Sequence, residues 1–362
     1  MRAGMAGGKK KKATIKDVAE MAHVSIATAS RVLSGSDYPV KEELKSAILA
    51  AARKLDYRPN VFGQLLRGGR NKQIGVVVPS ISNPFYNQLF AAVQKVCMDQ
   101  GYVPILYSSH SDWDMEKHYI DMLIHYQAAG ALLSLVGWEE GMQKRLEEAG
   151  VPCVLFDQPH EDPKVSSIDF DFYSGGRLAA EYLIGAGHRE IVFATGTVDR
   201  PSRKKLLEGF QAGMELRGCS FGEDQLVVHH TGRESGASAM KDYRCGQELG
   251  EKILERPYLP EAVFAINDMM AIGIIKKLET SGVHVPVDIS VLGFDDVEFG
   301  EMIVPALTTI SQSAYRTGEL AAEMLFESME QGSGMKRRLM LEPVLVERDS
   351  VRRKHDKIRR NH

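Results

Sequence analysis

The sequence predicts a small all-α head joined to a larger α/β body with parallel sheets, and three observations carry that prediction. Between positions 13 and 59, apolar residues recur at helical spacing in three short blocks. From position 73 onward, short β-rich runs alternate with helical stretches. Charge divides at the same place. Residues 1–72 hold 15 Lys and Arg against 6 Asp and Glu, whereas the remainder carries −12, for −3 overall. A basic head on an acidic body points to a polyanionic partner for the head alone.

The first block opens at Thr14, an N-cap candidate with Asp17 three residues on. Ile15, Val18, Ala19 and Ala22 follow on one helical face. His23 and Val24 interrupt, and Ser25 is placed to cap a second helix whose inner face is Ala29, Val32 and Leu33. Leu44, Ile48, Ala51, Ala52 and Leu55 form the stripe of a third helix that Pro59 ends. Two short helices joined by a tight turn and braced by a third make a helix-turn-helix. Its second helix turns Ser25, Ile26, Ala27, Thr28, Ser30 and Arg31 outward. Hydroxyls suit phosphates, and Arg31 offers a two-pronged donor to a guanine edge. A solvated helical cap would show the same spacing; the basic charge favours DNA. Residues 60–72, with Leu65 and Leu66, read on their own as a flexible linker packing on the body.

The body contributes candidate strands at 74–78, 103–107, 131–135, 152–156, 191–194, 226–228, 262–266 and 290–293. That number suits two doubly wound lobes, whose ligands sit beyond the carboxyl ends of strands. Asp157, Asn267–Asp268 and Asp295–Asp296 stand at three such ends. Each suits either ligand contact or helix capping; three in one body favour a common cleft.

The segment from Ala13 to Leu33 strongly resembles the headpiece of the lactose/galactose-repressor (LacI/GalR) family. So do Leu55–Asn60 and Ile74–Phe85, and the likeness runs from Ala13 to Val351. The resemblance implies a headpiece at 13–59, a hinge at 60–72 and an effector-binding and dimerisation domain at 73–350. That domain would be similar to periplasmic sugar-binding proteins, with lobes of about 73–169 plus 311–334 and 170–310 plus 335–350. A basic arm at 1–12 and a basic tail at 351–362 flank these and are expected to be disordered.

The same resemblance assigns base-edge contacts to Ile26, Ala27 and Arg31, and phosphate contacts to Thr14, Ser25, Thr28 and Ser30. Ile26 and Ala27 are apolar and offer no hydrogen bonds, so direct readout leans on Arg31. Leu66 matches the hinge-helix leucine that wedges into the minor groove, with Arg67 and Arg70 on phosphates. Gly63 costs about 1 kcal/mol in such a helix, so the hinge is expected to order only on DNA. In the body, Asn267 and Asp295 match effector-contacting positions, as do Asp157 and Gln312 less closely. Phe85 and Tyr86 match an aromatic wall; core packing is the alternative for both. One departure matters: Leu206 stands where many relatives carry an effector-clamping Arg. That leaves a neutral or more apolar ligand, a clamp from Arg203 or another residue, or no small ligand. Ala29, Ser34 and Lys41 depart from the headpiece pattern without removing it.

No phosphate loop, nucleophile elbow or metalloprotease motif occurs, so an enzyme is not expected. Cys97, Cys153, Cys219 and Cys245 form no Cys-x-x-Cys pair and stand with no His cluster, as structural thiols do; neither metal nor cofactor is expected. No apolar run approaches the ~20 residues of a membrane span. The Gly- and Lys-rich start is unlike a secretion signal, so the expected compartment is the cytoplasm. The expectation is therefore a repressor of a carbohydrate or related catabolic operon. Its partners would be near-palindromic double-stranded operator DNA, a sugar-like effector and a second copy of itself. A protein co-regulator is the alternative that Leu206 keeps open. The tail has no heptads of the kind that build a tetramer.

Overall fold

A computed structural model describes residues 13–33, 39–57, 71–139, 141–160, 164–229, 240–331 and 336–354. The chain divides into two compact units, Met1–Asn71 and Lys72–His362.

In the first unit, α1 (Ile15–Met21), α2 (Ile26–Leu33) and α3 (Glu42–Lys54) pack around Val18, Ala19, Ala29, Ile48, Ala51 and Ala52. Thr14 starts α1 with a reciprocal capping box. Its backbone N–H donates to Asp17 Oδ2 at 2.7 Å, and the Asp17 N–H donates back to Thr14 Oγ1 at 3.4 Å. The turn into α2 uses His23 at φ 51° and a 3.0 Å bond from the Val24 N–H to the Ala19 carbonyl. Ser25 Oγ accepts the Thr28 N–H at 3.1 Å, which closes the start of α2. Lys41, at the N-cap of α3, makes no side-chain capping bond. The expected stripe on α3 holds for Ile48, Ala51 and Ala52, but Leu44 is 36% exposed. Leu44 lies in the first turn, and the small six-residue core does not reach it.

The second unit holds two six-stranded sheets. The first has the order β11-β5-β4-β3-β1-β2 and is parallel throughout: β1 (Gln73–Val78), β2 (Val103–Ser108), β3 (Gly130–Leu133), β4 (Cys153–Phe156), β5 (Ser166–Phe170) and β11 (Arg338–Leu341). The second has the order β12-β10-β9-β8-β6-β7: β6 (Ile191–Thr195), β7 (Leu226–Val228), β8 (Ala262–Ala265), β9 (Ser290–Asp295), β10 (Thr308–Ser311) and β12 (Val344–Val346). Among the described residues only β12 runs antiparallel, at an edge. The inner strands β1, β3, β4, β6 and β8 read as apolar runs because helices cover both faces. On the first sheet lie α4 (Pro84–Asp99), α5 (Trp113–His125), α6 (Met142–Glu148) and α12 (Ala314–Gln331). On the second lie α7 (Phe172–Gly185), α8 (Pro201–Leu216), α9 (Lys241–Leu254) and α10 (Asp268–Thr280), with a short α11 (Phe299–Met302) nearby.

The last crossing between the lobes falls later than expected. The resemblance places 335–350 whole in the second lobe, but Arg338–Leu341 pairs with β5 in the first sheet, and Val344–Val346 joins the second. Four strands carry no sequence signal: β5 and β10 are polar yet fully buried, and β11 and β12 are short edges. Close helix contacts rest on glycine. A Cβ on Gly209 of α8 would fall 1.9 Å from the Tyr173 carbonyl oxygen of α7, a separation only glycine permits.

Candidate functional site

Two sites emerge, one in each unit. On the head, Ile26, Ala27 and Arg31 are exposed, Thr28 and Ser30 are partly buried, and Ala29 faces the core. Ile26, Ala27, Ser30 and Arg31 share one side of α2 by their i, i+1, i+4, i+5 spacing. Ser25 lies within 2.8 Å of Thr28, hydroxyl to hydroxyl, and Thr14 Oγ1 donates to Asp17 at 2.8 Å. Leu66, Arg67 and Arg70, with the rest of the hinge at 60–70, lie outside the described residues, as do the arm and most of the tail.

In the body, the carboxyl ends of the strands converge on a polar cleft. Asp157 follows β4 in a left-handed conformation, φ 67°, and Asp295 ends β9 at φ 118°. These turns aim their side chains into the cleft; neither residue caps a helix. Asp157 Oδ2 accepts from Tyr86 at 2.8 Å, from Ser134 at 2.9 Å and from Gln158 at 2.9 Å. Asp295 accepts from Asn83 at 2.8 Å and from Gln312 at 2.5 Å. Burial raises the affinity of both carboxyls for a proton, and at Asp295 the neighbouring Asp268 adds to it; the amide donors oppose the shift. Asn267 does both things its residue type allows. Its Oδ1 caps α10 through the Met270 N–H at 2.8 Å, while its Nδ2 donates to Asp242 at 3.0 Å. Asp268, one residue on, is structural: it binds Thr309 Oγ1 at 2.6 Å and the Val297 N–H at 2.8 Å.

Phe85, Tyr86, Asp157, Asn267, Asp295 and Gln312 thus line a single cavity. Phe85 and Tyr86 stack edge to face, 5.1 Å between ring centres, and belong to the first lobe's core as well. Leu206 also lines it, buried in the second lobe's core. An arginine one turn earlier on the same helix also lines the cleft. Arg203 lines the cleft, donates to the Thr197 carbonyl at 2.7 Å and is so buried that its pKa falls to about 10. Arg200, at the N-cap of α8, reaches across to Ser111 of the first lobe.

Sequence reasoning missed Asn83, Gln158, Phe172 and Ser202, and named Arg200 nowhere. Asn83 had a signal: it precedes Pro84 and caps α4 through the Phe85 N–H at 3.0 Å. Gln158 adjoins a strand-end carboxylate. Phe172 follows the unrecognised strand β5 and had none. In this form the lobes satisfy each other, through Asn83 to Asp295 and through Ser202, which donates to Gln158 at 2.9 Å. The remaining space is about 60 Å³. Among the described residues no cluster suits a metal ion, no helix is long and apolar enough to cross a membrane, and all four cysteines are buried.

Residues 14–60 match the family model for bacterial regulatory proteins of the lacI family, and residues 180–351 match a periplasmic binding protein-like domain. The chain is 32% identical over 340 residues to the ribose operon repressor of Escherichia coli (strain K12), covering 94% of this chain and 100% of that one. Among solved structures it resembles the lac repressor dimer bound to operator and the anti-inducer ONPF. Identity there is 27% and the TM-score 0.78, over 94% of this chain and 100% of that one. It also resembles a complex of the transcriptional regulator CelR with cellobiose, at 27% identity and a TM-score of 0.67, over 93% and 99%.

Proposed function

This chain belongs to the lacI family of bacterial regulatory proteins, a DNA-binding repressor under effector control, and we propose that its effector is a neutral sugar held in the inter-lobe cleft. One observation carries the reading: strand-end carboxylates and amides from both lobes meet in one buried cavity beside two aromatic rings. Carboxylates and amides together accept from and donate to sugar hydroxyls, and the rings pack on the apolar face of a sugar. Arg203 and Arg200 restore donors to a cleft that lacks the clamp at Leu206. Similar proteins support the ligand class, since one represses a ribose operon and another was solved with cellobiose.

On this reading α2 lies in the major groove of a near-palindromic operator. Arg31 contacts a base edge, Ile26 and Ala27 give apolar contacts, and Thr14, Ser25, Thr28 and Ser30 meet phosphates. Leu66 and Arg67 serve the minor groove and its phosphates. The chain acts in the cytoplasm as a homodimer, because two half-sites require two-fold symmetry. A stable tetramer in sedimentation at micromolar protein would contradict that assembly. Regulation is a population shift: a ligand bridging the lobes favours one lobe arrangement only by its differential affinity for it.

The test uses the full chain and an operator obtained by selection from random duplexes. Fluorescence anisotropy follows operator affinity while neutral sugars are titrated in. A change of tenfold or more with at least one sugar, abolished by Asp157→Asn, is expected. No change with any sugar would overturn the effector assignment and leave DNA binding standing.

A further inference from the structure

A second cavity in the body is larger than the polar one. It measures about 280 Å³, lies at the ends of β3 and β4, and meets the polar cleft at Gln158, which lines both. Its walls include Leu135, Trp138, Pro159 and His160 of the first lobe and Pro201 of the second.

The wall that carries Trp138 is held from behind. Glu116, fully buried on α5, accepts the backbone N–H of Val136 at 3.0 Å and of Gly137 at 3.3 Å, and the Ser109 hydroxyl at 3.2 Å. Gly137 lies flat against Trp113: a Cβ there would fall 2.5 Å from the indole. The loop before Trp138 is therefore fixed by a buried carboxylate and a ring. An indole, two prolines and a leucine, with an imidazole and one amide, suit the face of a ring better than an ion.

Resting on the sugar reading of the polar cleft, we propose that this cavity is a second subsite, which holds a ring glycosidically attached to the sugar. The effector is then a neutral two-ring glycoside, its second ring either another sugar or an aromatic aglycone. Gln158 stands at the junction with both ends of its amide engaged, Nε2 donating to Asp157 and Oε1 accepting from Ser202. Pro201 sits at the start of α8 beside Ser202, so an occupant of the subsite touches both lobes and bears on their closure. Leu206 fits this assignment, since a neutral ligand that takes much of its affinity from an apolar compartment has less need of a clamp.

Calorimetric titration of the full chain decides it. The probes are the methyl and 4-nitrophenyl glycosides of ribose, glucose and galactose, with cellobiose and lactose as the disaccharide arm. For whichever sugar binds, a two-ring form should bind about tenfold tighter than the methyl glycoside. Trp138→Ala should cut that advantage below threefold and leave methyl glycoside affinity within twofold, and Trp138→Phe should keep most of it. Preference for the nitrophenyl form alone assigns an aromatic aglycone; preference for a disaccharide assigns a second sugar. Equal affinity of methyl and two-ring forms in the unaltered protein overturns the subsite and spares the sugar reading, whether or not the Trp138 variants fold. Binding of no probe overturns both.

Discussion

The bond from Asn83 to Asp295 joins the lobes at a carboxylate buried on every side, and a single atom exchange turns it from attraction to repulsion. In Asn83→Asp the cap on α4 survives, because Asp serves an N-cap as well as Asn does. What changes is the group facing Asp295: a donor at 2.8 Å becomes an acceptor carrying charge. A hydrogen bond to a charged group, worth about 1.5–3 kcal/mol, is lost. Two full charges at that distance repel by about 6 kcal/mol at an effective dielectric of 20. The pair has two ways out, separation of the lobes or sharing of one proton. Burial already favours the protonated form of Asp295, so the second route opens as pH falls. Small-angle scattering should therefore give a larger radius of gyration for the variant than for the parent at pH 8, with the difference shrinking toward pH 5. Each lobe's core is untouched, so the far-ultraviolet circular dichroism should not change. Scattering identical to the parent's at both pH values would refute the idea that this contact holds the lobes together.

Three further outcomes follow. Arg31→Ala should cost about 1–3 kcal/mol of operator affinity and relax preference at one base pair, read by anisotropy on single-base operator variants; an equal loss on every variant would remove Arg31 from base readout. Gly209→Ala forces apart the backbones of α7 and α8 and should lower stability by about 1–3 kcal/mol, a fall in melting temperature of roughly 2–10 °C, whereas an unchanged melt would mean the helices separate freely. Burial raises the Asp268 pKa from its ordinary 3.8 to about 7, so between those values the folded state holds a proton that the unfolded chain has released. Its contribution to stability is complete below pH 4 and is lost as pH rises toward 7, at up to about 1.4 kcal/mol per pH unit; Asp268→Asn should remove that slope from melts run across the range, and a difference between parent and variant that is constant with pH would contradict it.

The parts of the molecule that were legible in the sequence share one property: their signal is local. A capping box at Thr14, helical spacing through α1 and α2, and apolar runs such as Ile74–Val78 each express a rule that operates within a few residues. The strand-end residues Asp157, Asn267 and Asp295 were legible for the same reason, since a polar residue directly after a buried run has few uses. What stayed hidden depends on residues far apart in the chain. Strand β5 reads Ser-Ser-Ile-Asp-Phe, polar by composition, and is buried only because β4 and β11 flank it and helices cover it. Arg338–Leu341 joins the first sheet because β5 leaves an open edge there, a fact absent from its own four residues. Gln158 was passed over because its importance lies in joining Asp157 to Ser202, 44 positions away.

The self-satisfied cleft also fixes where selectivity can come from. A ligand hydroxyl that displaces Asn83 from Asp295, or Ser202 from Gln158, exchanges one hydrogen bond for another, and the net gain per exchange is small. A ligand that lacks the matching hydroxyl does not merely forgo that gain. Where its bulk still displaces Asn83, it leaves the buried Asp295 carboxylate one donor short, and sites built around such groups reject the deficient analogue by factors of about 10⁴ or more. On the proposed sugar reading, the polar cleft therefore discriminates among sugars more than it holds them. On the same proposal, affinity has to come from contacts that no protein group already makes, and the apolar cavity beside Trp138 is the place where such contacts are on offer. The two proposed subsites would then divide the labour, a polar cleft that selects and an apolar one that binds, and Leu206 could stand where many relatives carry an arginine clamp.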